Sequence, residues 1–335
     1  MFNFENEPTL DLTVIIPFVQ EFPQVLFTLQ SAYAEFYKSG LSFELIAIDN
    51  WCTEVKIQEG GRLRDSGGSH IKSLAEEKRP WLRYLEYDEK LSHWQSKNLG
   101  VSKCRGKYIL FMDSHCILPP RSASSMVRYY IENEEVLNGT LHLPITYMLE
   151  NQGSDLNYKL VTDMDHSVVH YAFTRHKPDS RPYRVPCMST CGMLMSRKLF
   201  FELGGWPREL GIYGGGENFI NFTLAVLGYN VNIYPKTSIF HYAAKRGYHW
   251  NHDDYHRNRC IASYMYGGKD FAENYIFACK GKPEVWTKIF YDVITKCSEH
   301  QEYIEKKQKI NIFDWVAKAK DGYPEYQNLP EVNIN

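Results

Sequence analysis

"LTVIIPF" (12–18), "QVLFTLQSAYAEFYKSG" (24–40) and "FELIAIDN" (43–50) decide the fold. The first is a β-branched run of strand length that ends at Pro17 and Phe18. The second carries apolar residues at helical spacing and closes on Gly40. The third reads as another strand and ends on Asp49. Strand, helix and strand in this order build a parallel sheet with a right-handed crossover. In such sheets ligands bind beyond the carboxyl ends of the strands, and Asp49 stands at one such end.

The pattern continues. Residues 58–80 are polar and Gly-rich, an exposed loop leading into a helix. "WLRYLEYDE" (81–89) reads as a third strand, "SHWQSKNLGVSKCRG" (92–106) as a helix capped by Ser92, and "KYILFMD" (107–113) as a fourth strand. The order predicts an α/β protein with a doubly wound open sheet. After Pro119-Pro120 the signal changes. "LHLPITYMLE" (141–150) and "VNIYPKTSIFHY" (231–242) each read as one strand, and residues 150–185 carry no clear pattern. "CGMLMSRKLFFELGGW" (191–206) reads as a strand and a short helix, and "GGGENFINFTLAVLGY" (214–229) as a Gly-rich turn feeding a helix. From Asp253 onward the spacing predicts a mostly helical extension packed on the first unit.

A hydrophobic content of 44% and a charged content of 23% place the chain among ordinary folded proteins rather than disordered ones. The net charge of −2 lowers the case for a large nucleic-acid footprint, which would call for a more basic chain. No run reaches the roughly 18 apolar residues of a membrane span. The opening "MFNFENEPTLDL" lacks a basic and an apolar region of a signal peptide, so the expected location is the cytoplasm, bacterial or viral-host included. The eight cysteines form no CxxC pair and are expected as free thiols.

The apolar run 107–112 stops on Asp113-Ser114-His115. Residues two apart on a strand point the same way, so Asp113 and His115 can converge on one point. A carboxylate with an imidazole suits a divalent ion such as Mn²⁺ or Mg²⁺, whereas a capping acid beside an exposed His is the plain alternative. If the strand ending in His241 lies in the same sheet and ends at the same edge, His241 completes a triad. Asp49 suits a hydrogen bond to a nucleotide base or ribose, or a cap on the next turn. Glu217 and Asn218 open a helix after glycines. There a carboxylate can bind sugar hydroxyls, act as a base or cap the helix, whereas an amide cannot abstract a proton. In "AAKRGYHW" (243–250), Lys245 and Arg246 are placed to neutralise a leaving pyrophosphate with Tyr248 closing over it, or form a solvated basic loop.

Together these stretches resemble glycosyltransferases of the GT-A fold. "LTVIIPF", with Pro17, and "FELIAIDN" resemble the nucleotide-binding start of family-2 enzymes. "FMDSHC", "GGENFINFTLAVLGY" and "PKTSIFHY" are similar, in order, to three motifs of the polypeptide N-acetylgalactosaminyltransferases. The resemblance covers roughly residues 10 to 250. It implies a mixed Rossmann-like sheet, with a catalytic unit at 1–250 and a helical extension at 251–335. It also implies a nucleotide-sugar donor, usually UDP-linked, and Mn²⁺ on Asp113, His115 and His241. Asp49 is implied near the uridine and Asn98 near the donor. Tyr213-Gly214 replace the family's Trp and add a glycine, and Ile117 stands where an acid is expected. The usual second carboxylate of an inverting base is Asn218 here, which favours transfer with retention; Glu217 as an inverting base is the alternative. The expected acceptor is a hydroxyl on a protein, a glycan or a modified DNA base. A non-catalytic interaction module and a nucleotidyltransferase are the competing classes.

Overall fold

The computed structural model describes residues 3–58, 67–77, 79–148, 155–175, 179–242, 248–322, 325–326 and 329–332. The first half runs β1 (Leu10–Phe18), α1 (Gln24–Tyr37), β2 (Phe43–Asp49), α2 (Thr53–Gln58), α3 (Gly67–Glu76), β3 (Leu82–Glu86), α4 (His93–Ser102) and β4 (Gly106–Phe111). These four strands are parallel in the order β4-β1-β2-β3, as the strand–helix–strand spacing requires. Val14, Ile15 and Ile16 are fully buried, and so are Ile46, Ala47 and Ile48 beside them. Each such aliphatic side chain contributes about 2 kcal/mol of burial. The strands therefore read as continuous apolar runs, because helices cover both faces.

Next come β5 (Cys116–Ile117), α5 (Ser122–Leu137), β6 (Gly139–His142), β7 (Ile145–Met148), β8 (Asp155–Asp163), β9 (Val168–Arg175), β10 (Tyr183–Val185), β11 (Met193–Ser196), α6 (Arg197–Leu203), α7 (Gly216–Val226), β12 (Asn230–Ile233) and β13 (Ile239–Tyr242). The tail holds α8 (His252–Ala278), α9 (Pro283–Lys296), α10 (Ser298–Glu305), α11 (Ile312–Gly322) and a short β14 (Glu325–Tyr326). Among the described residues the large sheet has the order β14-β10-β12-β6-β11-β4-β1-β2-β3. β11 is antiparallel to both β4 and β6, so the sheet is mixed. A second sheet has the order β5-β13-β7-β8-β9.

Several expectations change here. The stretches 141–150 and 231–242 are each two strands, not one. Each gives its first strand to the large sheet (β6, β12) and its second to the small one (β7, β13). Pro144 and Pro235 lie in the breaks, where a residue without N–H cannot continue a ladder. The patternless stretch 150–185 supplies the β8–β9 hairpin and β10. The tail is mostly helical, as expected, and adds the short β14, which pairs with β10 at the edge of the large sheet.

One hydrophobic core runs through both sheets and into α8–α11. The tail also fixes the turn before α7. Asn258 of α8, fully buried, accepts from the Gly211 N–H at 2.9 Å and donates to the Tyr213 carbonyl at 2.7 Å. The glycines at the start of α7 have a physical reason. Gly215 has φ +76°, and a Cβ there would lie 2.1 Å from the Asn258 carbonyl oxygen. A Cβ on Gly216 would lie 2.0 Å from the Trp94 ring. Gly215→Ala should therefore destabilise the protein by about 2 kcal/mol or more, read by denaturant unfolding.

Buried histidines make the fold acid-sensitive. His142 lies in the large sheet, where it accepts from the Thr140 hydroxyl at 2.7 Å and donates to the Ser189 carbonyl at 2.9 Å. Burial pushes its pKa down to about 3, from an ordinary 6.5. Burial also lowers His170, to about 4, with Arg259 adding to the effect. The unfolded chain takes up these protons near pH 6.5 and the folded chain only near 3 to 4. Stability should be fully present above pH 6.5 and fall as pH drops through that window. Unfolding measured across the window should show the slope, and His142→Asn should flatten it.

Candidate active site

β1, β2 and β4 are parallel, so Phe18, Asp49 and the residues after Phe111 share one edge of the large sheet. The Met112 N–H still bonds the Ile15 carbonyl at 3.0 Å; beyond it the chain leaves the sheet. Asp113-Ser114-His115 then crosses to the small sheet, where Cys116 pairs with His241. The triad therefore assembles from two sheets rather than from one sheet edge. One ligand atom from each of Asp113, His115 and His241 lies within 4.8 Å of the others. His241 Nε2 stands 3.3 Å from Asp113 Oδ2 and 3.1 Å from His115 Nε2.

Glu21, in the turn between β1 and α1, orients this group and had no signal in the motif reading. Its Oε1 lies 2.8 Å from His115 Nδ1, and its Oε2 accepts from the Ser114 hydroxyl. A carboxylate can only accept, so Nδ1 carries a proton toward Glu21 and Nε2 faces His241. Carboxylate-fixed imidazoles of this kind are how proteins hold metal ligands. One carboxylate and two imidazole nitrogens, converging with the tautomer already set, fit a divalent ion.

Lys97 is the second residue the motif reading missed. It lies on α4, 1% exposed, with Nζ 3.0 Å from Thr190 Oγ1 and 4.0 Å from Asp113 Oδ1. Its ammonium also sits 4.9 Å from the Trp94 ring centre. Burial acts to raise the Asp113 pKa, but the His241 hydrogen bond and the charges of Lys97, His241 and His115 outweigh it. They hold the carboxyl well below the ordinary range. Glu217 goes the other way: burial and Asp113 raise its carboxyl above the ordinary value, against the pull of Lys97. Its Oε2 accepts from Tyr171 at 3.4 Å. Tyr171 stacks on Tyr158 at 4.4 Å, so the β8–β9 hairpin lays aromatic rings beside Glu217, and Tyr147 of β7 packs 5.0 Å from the His241 ring.

The other expected residues divide. Asp49 is buried at the end of β2 and accepts from the Tyr84 hydroxyl at 2.7 Å. Pro17 lies within β1, opposite Ile48. Tyr248 packs against the small cluster of Val19, Cys52, Val55, Leu91 and Ile212, beyond the same edge. Asn98 is a clamp: its amide donates to the Trp206 carbonyl at 2.8 Å, and its oxygen accepts the Trp206 N–H at 3.0 Å. Asn218, 3% exposed, donates to the Val169 carbonyl at 2.9 Å and so ties α7 to β9. Lys245 and Arg246 lie outside the described residues. Cys187 and Cys191 form no disulfide, and all eight cysteines are free.

Residues 13–204 match the family described as Glycosyl transferase family 2, which is more than half of the chain. The chain belongs to that family. Over 171 residues, 49% of the chain and 30% of the relative, it is 27% identical to a putative polypeptide N-acetylgalactosaminyltransferase 13 of Drosophila melanogaster. Over 158 residues, 44% of the chain and 26% of the relative, it is 24% identical to N-acetylgalactosaminyltransferase 7 of the same organism. The chain thus spans less than a third of either curated relative. Its fold matches the crystal structure of GalNAc-T7 with UDP, GalNAc and Mn²⁺ at a TM-score of 0.70 and 16% identity, over 97% of this chain and 59% of that one. It also matches S. aureus TarS residues 1–349 in complex with UDP-GlcNAc at a TM-score of 0.51 and 11% identity, over 92% and 90% of the two chains. This family-2 chain therefore has the GT-A fold. Among its described residues no helix is long and apolar enough to cross a membrane.

Glu21 gives the test of the geometry. Glu21→Gln should weaken Mn²⁺ binding roughly 10- to 100-fold, the usual effect of removing a carboxylate that orients a ligand. Titration followed by the electron paramagnetic resonance of free Mn²⁺ reads the change. An unaltered affinity would remove Glu21 from the site.

Proposed function

We propose that the chain is a metal-dependent glycosyltransferase that moves a sugar from a UDP-sugar to a hydroxyl acceptor. The observation that carries this reading is the convergence of Asp113, His115 and His241 at the carboxyl edge of a GT-A sheet, with Glu21 fixing the His115 tautomer. The structure of GalNAc-T7 that shares the fold contains UDP, GalNAc and Mn²⁺, which supports the same donor chemistry here.

Transfer breaks the bond between the anomeric carbon and a phosphate oxygen, so negative charge develops on the departing diphosphate. A Mn²⁺ or Mg²⁺ ion on the triad supplies charge stabilisation where it is needed. The residues of the chain do the rest. Lys97 keeps Asp113 ionised and ready to ligate, and Glu21 keeps His115 from turning. Asp49, at the end of β2, stands where the uracil or ribose of the donor would lie. Lys245 and Arg246 provide cations for the diphosphate, with Tyr248 closing over it.

The stereochemical course follows from the base. Asn218 is committed to Val169 and cannot accept a proton. Glu217 is the remaining carboxylate at that helix start, and its carboxyl is raised by burial and turned to Tyr171. It suits a hydrogen bond to a sugar hydroxyl, leaving the departing phosphate to take the acceptor proton on the same face. That course gives retention. The aromatic β8–β9 hairpin, with Tyr158 and Tyr171, supplies a surface for a sugar or an extended acceptor. A protein or glycan hydroxyl agrees with the net charge of −2 better than a modified DNA base does.

Release of nucleotide from a panel of UDP-sugars and GDP-sugars, with and without Mn²⁺, tests the reading. One UDP-sugar should be turned over only with metal, and Asp113→Ala and His241→Ala should lower the rate at least 100-fold. Loss of neither activity nor Mn²⁺ binding in these variants would overturn the metal assignment. Proton NMR of the first product formed from the active donor should show the anomeric configuration retained. An inverted product together with an inactive Glu217→Gln enzyme would assign Glu217 as the base instead.

A further inference from the structure

Behind the Asp113–His115–His241 triad lies a second ligand set of different chemistry. Cys116 of β5 and Cys191, before β11, approach to 3.4 Å between sulfurs, and both are 1% exposed. With His241 they again place one ligand atom each within 4.8 Å of the others. The register explains it. Cys116 and His241 are directly opposite across an antiparallel pair, so their side chains lie on one face. The Nδ1 of His241 is buried and has no hydrogen-bond partner among the described residues, while its Nε2 faces Asp113 and His115.

The sulfur spacing discriminates between uses of the pair. A disulfide would need the sulfurs at about 2.05 Å. Two thiolates on one tetrahedral Zn²⁺, with Zn–S near 2.3 Å, stand roughly 3.8 Å apart. The observed 3.4 Å is closer to the second. Soft sulfur ligands also select against Mn²⁺ and Mg²⁺ and in favour of Zn²⁺. We propose that Cys116, Cys191 and His241 form a thiophilic metal site for Zn²⁺ or a similar soft ion, and that its occupation weakens Mn²⁺ binding at the adjacent triad. Zn²⁺ binding releases the two thiol protons to solvent. The coupling runs through the shared imidazole. If Zn²⁺ takes Nε2, the triad loses a ligand. If it takes Nδ1, the ring must also release its remaining proton to solvent to bridge two cations, and those cations repel each other.

X-ray absorption at the zinc edge, on wild-type protein loaded with one equivalent of Zn²⁺, tests the site directly. Two sulfur neighbours at about 2.3 Å are expected, with nitrogen or oxygen completing the shell. Asp113→Asn should keep both sulfurs, whereas Cys191→Ser should leave one and weaken Zn²⁺ binding at least tenfold. In wild-type protein, Zn²⁺ should raise the Mn²⁺ dissociation constant at least tenfold, read by paramagnetic resonance; in Cys191→Ser this effect should vanish. A shell without sulfur overturns the site. So does a shell with one sulfur in wild-type protein. An unchanged Mn²⁺ constant overturns the coupling. Protein that binds Zn²⁺ through two sulfurs yet binds no Mn²⁺ would sustain the thiol site and sink the metal assignment of the triad, so the two fail separately.

Discussion

Cys116 and His241 face one another across a two-residue strand, and the position of the site depends on that pairing. β5 is too short to hold itself in a sheet, and α1 supplies what it lacks. Thr28 accepts the Cys116 N–H at 2.9 Å and Ser31 accepts the Leu118 N–H at 2.8 Å. In the turn before the same helix, Glu21 holds Ser114 and His115. One helix thus pins the crossing between the sheets from Ser114 to Leu118. Because α1 also connects β1 to β2, the edge that carries Asp49 and the crossing that carries Asp113 are built on the same element. A shift of α1 would move both together.

The electrostatics are built around one interior cation. An ammonium 1% exposed is costly to bury. Lys97 offsets that cost with the Thr190 hydroxyl, the Asp113 carboxylate and the faces of Trp94, Phe111 and Trp206. The result is a fixed positive charge beneath two carboxylates that it treats unequally. Asp113 has histidine partners as well, and stays ionised. Glu217 has burial and the Asp113 charge against it, and is the easier of the two to protonate. Pairs of acids pushed apart in this way take different roles: one acts as a ligand, the other as a hydrogen-bonding or proton-handling group.

The parallel half of the fold was open to reading because its strands are buried on both faces and its helices keep their period. The strand end at Asp49, the Ser92 cap and the helix from Gly216 all follow from local chemistry, whereas β4 already ends at Phe111. The second sheet was hidden for a different reason. Two of its strands, β7 and β13, continue large-sheet strands past Pro144 and Pro235, and a change of sheet leaves hydrophobicity almost unaltered. The convergence of Asp113, His115 and His241 does not depend on that difference, since it needs only that their segments meet. Glu21 and Lys97 were beyond reach. A lone acid in a turn and a lone lysine on a helix look like solvated charges until the packing around them is known. Asn98 and Asn218 went the other way: they fit a motif, and packing gives both amides to backbone carbonyls.

The tail is bound to the site by the turn that carries the added glycine. Asn258 satisfies Gly211 and Tyr213 together, and its own carbonyl occupies the space where a side chain at residue 215 would stand. Tyr213, in the place of the family's tryptophan, packs on Trp250 at 4.7 Å and on Tyr255 of α8 at 5.7 Å. The turn therefore takes its shape from α8 on one side and from Trp94 on the other. Trp94 is one helical turn from Lys97, and the turn leads directly into Glu217. The first two turns of α8, through Tyr255 and Asn258, thus shape the turn that leads into Glu217. The tail and the start of α7 meet at Gly215, two residues before Glu217, where the Asn258 carbonyl leaves no space for a side chain.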